Sequence, residues 1–124
     1  QARSQPPAQP QKIRIIDTGR IELVAVDQIT HCSGAGDYVE LNFADGSKRL
    51  HGGSLNELEG ELPPAFLRVH RSHIVNTAFV ESLEREASGV GRLRMSSGAF
   101  VPVSRRIMPM VRRAMGSAQI QVGE

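Results

Sequence analysis

The apolar residues of this chain come in short Val- and Ile-rich runs, and turn-forming residues cut between them. Ile13, Ile15 and Ile16 are separated from Ile21, Leu23, Val24 and Val26 by Thr18-Gly19. A turn signal between two β-branched runs predicts a first hairpin, with strands over 12–17 and 20–26. Residues 27–33 continue as a short strand around Ile29. Tyr38, Glu40 and Asn42 then alternate with Val39, Leu41 and Phe43, the period-2 pattern of a half-buried strand. Ala44-Asp45-Gly46 turns this strand into a partner over 47–51. Between the two groups, Gly34-Ala35-Gly36-Asp37 reads as a flexible loop.

Helix signals are scarce. Ser54-Leu55-Asn56-Glu57 has the form of a capping box, in which the Ser hydroxyl and the Glu carboxylate each satisfy a free backbone N–H. Leu55, Leu58 and Leu62 follow at helical spacing, and Pro63-Pro64 ends the element. Glu57, Glu59 and Glu61 make this helix acidic, so it reads as a packing element and not as one that lies on a polyanion. Strands are expected over 66–70, 78–83, 92–95 and 100–103, with a polar connection over 84–91. Ser104 is placed to cap a last helix over 105–115, interrupted by Pro109. Short strands, frequent glycine turns and one internal helix make the fold mainly β.

Residues 1–11 hold Pro6, Pro7 and Pro10 among Gln, Ser and Ala. They are expected to form a disordered linker from an upstream domain. The folded domain is then 12–115, with a flexible tail over 116–124. Cys32 is the single cysteine, which excludes an internal disulfide, fits a reducing compartment and reads as an inert core or strand residue. No apolar run approaches the roughly 20 residues that cross a bilayer, so a cytoplasmic location without membrane contact is expected.

The formal net charge of +2 conceals an asymmetry. From Lys12 to Leu67, five basic residues stand against nine acidic ones. From Arg68 to Arg113, nine arginines stand against three acidic residues, and no lysine occurs. Arginine carries a planar fork of donors that matches phosphate and the acceptor edge of guanine. The C-terminal half therefore suits a nucleic-acid partner, or else is an ordinary charged surface.

Within that half, Phe66-Leu67-Arg68-Val69-His70-Arg71-Ser72-His73-Ile74-Val75-Asn76 is apolar at both ends and polar at its centre. The pattern predicts two strands joined by an exposed bend that projects Arg71. This stretch resembles the central motif of the LytTR family of DNA-binding domains. Gly36-Asp37-Tyr38-Val39 upstream and Val101-Pro102-Val103-Ser104-Arg105-Arg106 downstream resemble two further family segments in the same order. The likeness runs from about Ile13 to Met115. At His73 the family more often has Tyr or Phe. The resemblance implies an elongated stack of small antiparallel sheets, with one short internal helix and a C-terminal helical turn. It also implies that duplex DNA is read by loops, with the loop at Asp37 entering a major groove. No helix of the expected fold is both basic and long enough to do so.

These readings place the DNA-binding residues at Asp37, Tyr38, His70, Arg71, Ser72, Ser104, Arg105 and Arg106. Arg71 and Arg105 are expected to read base edges. Tyr38, Ser72, Ser104 and Arg106 are expected to position the domain on phosphates. Asp37 suits a cytosine amino group, and equally a turn; Tyr38 suits phosphate, and equally strand packing. His70 reads either as a hydrogen-bonded structural histidine or as a DNA contact. No Cys or carboxylate completes a metal-ligand set with His70 and His73. Ser72 beside those histidines is the only hint of a nucleophile, and no phosphate-binding glycine loop occurs. No cofactor and no enzymatic activity are expected. The partner is expected to be double-stranded promoter DNA, as paired direct repeats that accept a second copy of the domain. The resemblance also implies a setting: such domains often follow a phosphoacceptor receiver domain, as in a response regulator of a two-component system, though other sensors and membrane segments also occur upstream. The alternative is a β-type protein-interaction or sensory module that turns the Arg-rich face to an acidic partner.

Overall fold

The computed structural model describes residues 11–119, and it is mainly β, with three antiparallel sheets. β1 (Lys12–Asp17) and β2 (Arg20–Ala25) form the first. Thr18 and Gly19 join them with positive φ angles of 52° and 77°, so the hairpin closes through a two-residue turn whose twist matches the strands. β3 (Ile29–Ala35), β4 (Tyr38–Phe43) and β5 (Lys48–His51) run on as a meander. The chain then leaves the sheet through α1 (Leu55–Glu61) and returns as the hairpin β6 (Phe66–His70) and β7 (His73–Asn76). β7 pairs with β3, which gives a five-stranded central sheet in the order β5-β4-β3-β7-β6. β8 (Val80–Arg85), β9 (Gly91–Met95) and β10 (Phe100–Val103) make the third sheet, and α2 (Met108–Gln119) follows.

Two apolar cores lie on opposite sides of the central sheet. Ile13, Ile15 and Val24 of the first hairpin pack with Leu55 and Leu58 of α1 against Cys32, Leu41 and Ile74. On the other side, Val69 and Val75 pack with Leu93, Met95, Val101 and Val103 of the third sheet and with Met108 and Val111 of α2. Successive strand residues point to opposite faces, so the adjacent Ile74 (1% exposed) and Val75 (0%) enter different cores. Asn76 completes the strand: its side-chain amide donates to the Ile29 carbonyl at 3.0 Å, and its side-chain oxygen accepts from the Ala78 N–H at 3.0 Å.

α1 forms as its sequence dictates. Glu57 N–H donates to Ser54 Oγ at 3.1 Å, and Ser54 N–H donates to the Glu57 carboxylate at 3.4 Å, the reciprocal capping box. Other elements differ from expectation. Gly34 and Ala35 belong to β3, paired with Val39 and Tyr38, so only Gly36-Asp37 remains as the turn. The expected C-terminal helix is present, but it runs over Met108–Gln119, three residues later at its start and four later at its end than 105–115. Pro109 lies in its first turn, where the missing N–H has no intrahelical acceptor to lose, so it starts the helix instead of interrupting it. α2 carries Arg112 and Arg113, and Met108 and Val111 hold its inner face on the second core. Residues 116–119 of the expected tail are helical, and 120–124 lie outside the described residues. Of the expected linker, 1–10 lie outside them too, while the Gln11 carbonyl accepts a 2.9 Å bond from Val26 N–H and so belongs to the fold.

Leu58 is 1% exposed and fills the first core from α1. Leu58→Ala removes that contact and leaves a cavity, so it is expected to cost about 2–4 kcal/mol of stability. Chemical denaturation measures this directly; an unchanged midpoint would show that α1 does not anchor the core.

Candidate nucleic-acid interface

The antiparallel pairing of β3 with β7 and of β6 with β7 brings two turns to the same end of the central sheet. These are Gly36-Asp37, between β3 and β4, and Arg71-Ser72, between β6 and β7. Gly34 N–H donates to the Ser72 carbonyl at 2.8 Å and ties the two turns together. The third segment arrives from the third sheet. Ser104, directly after β10, donates its N–H to the Val69 carbonyl of β6 at 3.0 Å, and residues 105–107 then form a 3₁₀ turn into α2. The Ser104 hydroxyl makes no capping bond; its backbone carbonyl accepts from Ile107 and Met108 instead.

His70, Ser104, Arg105 and Arg106 line one surface cleft together with Val90 and Pro102. Arg68, His70, Arg71, Ser104 and Arg106 line the next. Five of the eight expected site residues thus share adjoining walls. Asp37 and Tyr38 are exposed at the hairpin beside them and line neither cleft. Gly36, with φ +67°, allows the two-residue turn that projects Asp37.

Ser72 is held between two imidazoles. Its N–H donates to His70 Nδ1 at 3.2 Å. The hydroxyl lies 2.9 Å from the same nitrogen and 3.0 Å from His73 Nδ1. It is therefore engaged within the turn, which supports the structural reading of His70 and leaves Ser72 less free to meet a phosphate. The His70 and His73 rings meet edge to face, with centroids 5.3 Å apart. Burial, and then the positive charges that His70 and His31 can carry, push His73 down to about 4 from its usual 6.5, so it is neutral at neutral pH.

Among the described residues some arginines have a carboxylate partner and others lack one; Arg14, Arg85, Arg112 and Arg113, which lie outside the turns, also lack one. Arg20, Arg49, Arg68, Arg92 and Arg94 each have a carboxylate partner. Among the described residues, no carboxylate lies within ion-pair distance of Arg71, Arg105 or Arg106, and all three are exposed. Arg105 is also supported from below. The arginine stem lies against the β8–β9 loop, where a Cβ at Gly89 would be in van der Waals contact with Arg105 Cδ at 3.4 Å; the φ of +93° is what favours glycine there.

Arg68 and Gly89 are the residues that the sequence reading did not assign to this site. The Arg68 guanidinium bonds to Asn56 and Glu59 of α1 and to the carbonyls of His70 and Arg71. Its place in the motif marked it as notable, but only the fold shows that it faces inward.

Residues 19–116 match the LytTr DNA-binding domain family. The chain belongs to this family. It is 31% identical over 97 residues to the transcriptional regulatory protein BtsR of Salmonella typhi, covering 78% of this chain and 40% of that protein. It is 30% identical, with the same coverage, to BtsR of Escherichia coli K12. The chain therefore spans well under half the length of these relatives. A LytTr DNA-binding domain from Bacillus cereus superposes with a TM-score of 0.73 at 25% identity, over 87% of this chain and 99% of that one. The likeness extends over the sheet stack.

The lowered value of His73 gives a pH prediction with a definite sign. The unfolded chain binds a proton near pH 6.5 that the folded chain refuses until about pH 4. Stability is therefore fully present above that window and falls as pH drops through it. His31, also lowered by burial, acts in the same direction. His73→Phe should flatten part of the fall in melting temperature across this window; an unchanged slope would show that His73 is not the buried neutral group described.

Proposed function

We propose that this domain binds double-stranded DNA sequence-specifically, as the output domain of a transcription regulator, and that it reads the duplex through loops. The observation that carries this is the convergence of Arg71, Arg105 and Arg106 at one end of the fold, from two separate segments, each without a carboxylate partner among the described residues. An unpaired exposed guanidinium is solvated and ready to exchange water for phosphate oxygens or a guanine edge. Family membership and the regulators among the relatives point the same way.

Roles follow from how each side chain is held. Arg71 projects from the tight β6–β7 turn and Arg105 lies across Gly89, so both have a restricted aim and are assigned to base edges. Arg106, Ser104 and Tyr38 are assigned to phosphates, and Asp37 to a base or to the turn itself. His70 and Ser72 act mainly by shaping the turn. The whole regulator is proposed to be a cytoplasmic response regulator of the two-component type, with two copies on paired direct repeats. Among the described residues, no helix is long and apolar enough to cross a membrane.

Two neighbouring substitutions test the division of labour. Arg105→Ala should weaken binding to the preferred duplex and remove roughly 1–3 kcal/mol of discrimination at about one base pair. Arg106→Ala should weaken all duplexes nearly equally and reduce the salt slope by about one unit. The parent domain, with about four to seven phosphate contacts, should show a log–log slope near −0.9 per contact. Competition binding against every single-base variant of a selected duplex, on variants shown to be folded by melting, reads all three. A common loss at every base for Arg105→Ala would make it a phosphate clamp. A flat salt response of the parent, or equal binding of an acidic polypeptide, would overturn the DNA reading.

A further inference from the structure

Arg68 sits on β6, three residues before Arg71, and its side chain is only 20% exposed. One edge of its guanidinium faces the β6–β7 turn: Nε donates to the His70 carbonyl at 3.0 Å, and Nη2 donates to the Arg71 carbonyl. Nη1 points the other way, to Asn56 Oδ1 at 2.9 Å and Glu59 Oε1 at 2.7 Å on α1. The two carbonyls belong to the peptide units on either side of the Arg71 Cα. Holding both planes fixes the two backbone torsions of Arg71, and with them the direction of its Cα–Cβ bond. The grip needs a planar fork with separated donors, which lysine lacks.

We infer that Arg68 is a positioning residue that aims Arg71 at the duplex, with α1 as its fixed support. The inference rests on the DNA-binding reading of the turn. It gives the acidic helix a part in recognition: Glu59 and Asn56 hold the far side of the guanidinium while its near edge sets the turn. Arg68 itself touches no DNA. Its charge is matched by Glu59 and four of its five N–H donors are bonded within the protein, in contrast to Arg71.

The test compares Arg68→Lys, Arg71→Ala and Glu59→Gln in the 124-residue chain. The probe is a duplex selected from a random pool by the parent chain, competed against its single-base variants. Arg71→Ala identifies the base pair that the turn reads. At that base pair, Arg68→Lys should lose roughly five- to tenfold in discrimination, part of the 1–3 kcal/mol of a bidentate contact. The salt slope should stay unchanged, because no phosphate contact is lost. Glu59→Gln should move the same base pair less, and it serves in place of Arg68→Lys if that variant does not fold. In the free domain, ¹⁵N relaxation should show the Arg71 and Ser72 amides ordered in the parent and mobile in Arg68→Lys.

Three results would overturn the inference. If Arg68→Lys lowers the melting temperature but the folded protein keeps parental discrimination and an ordered turn, Arg68 is structural only. If its salt slope falls by about one unit, it is a direct phosphate contact. If Arg71→Ala leaves both affinity and discrimination intact, the turn does not read DNA, and the DNA-binding reading of the turn fails together with the role of Arg68.

Discussion

Everything in this fold hangs on β7 being buried on both sides. An antiparallel sheet commonly keeps one face in water, and its strands then alternate apolar with polar residues. Here two successive residues, Ile74 and Val75, are both apolar and both inaccessible, because a different core lies against each face. The first core needs Ile74 to meet the hairpin and α1. The second needs Val75 to meet the third sheet and α2. A register slip of one residue would exchange the two faces and misfit both cores, so the pairing of β7 with β3 is specified twice over. The turn at the start of β7 inherits that rigidity, which is what a loop needs if it is to present a guanidinium in one direction.

Electrostatics adds a second layer of organisation. The small net charge is the balance of an acidic N-terminal part and a basic C-terminal part. Folding does not simply leave the positive part exposed. It pairs Arg92 and Arg94 with Glu84 and Glu81 across the third sheet, ties Arg68 to Glu59, and, among the described residues, leaves Arg71, Arg105 and Arg106 without carboxylates at the end where the turns meet. Exposed pairs of this kind contribute little to stability, a median of about 0–1 kcal/mol. Their effect here is on where uncompensated charge remains.

Much of this was legible in the sequence, for local reasons. Thr18-Gly19, the alternation of Tyr38–Phe43 and the Ser54–Glu57 capping box each encode their conformation within a few residues. Other features depend on partners distant in sequence. Gly34 and Ala35 look like a loop in isolation, but β4 pairs with both, and Ser72 accepts the Gly34 N–H. Pro109 looks like an interruption until Ser104 is seen bonded to β6, which moves the start of the α-helix to Met108. The triplet motif placed the turns at Asp37, Arg71 and Arg105 in order. It could not show that Arg68 reaches back twelve residues to Asn56, nor that the Arg105 stem lies against the loop at Gly89.

The lone thiol has a practical consequence. Cys32 lies in β3 between Leu41 of β4 and Ile74 of β7, fully buried, and burial pushes its pKa up to about 12. In the closed fold it offers neither access nor thiolate to an alkylating reagent. Modification must wait until β3 separates from its neighbours. With a single cysteine in the chain, the rate of alkylation under native conditions becomes a clock for that separation. Without any introduced label, the domain reports how often its central sheet opens, and how far a bound partner at the nearby turns slows the opening.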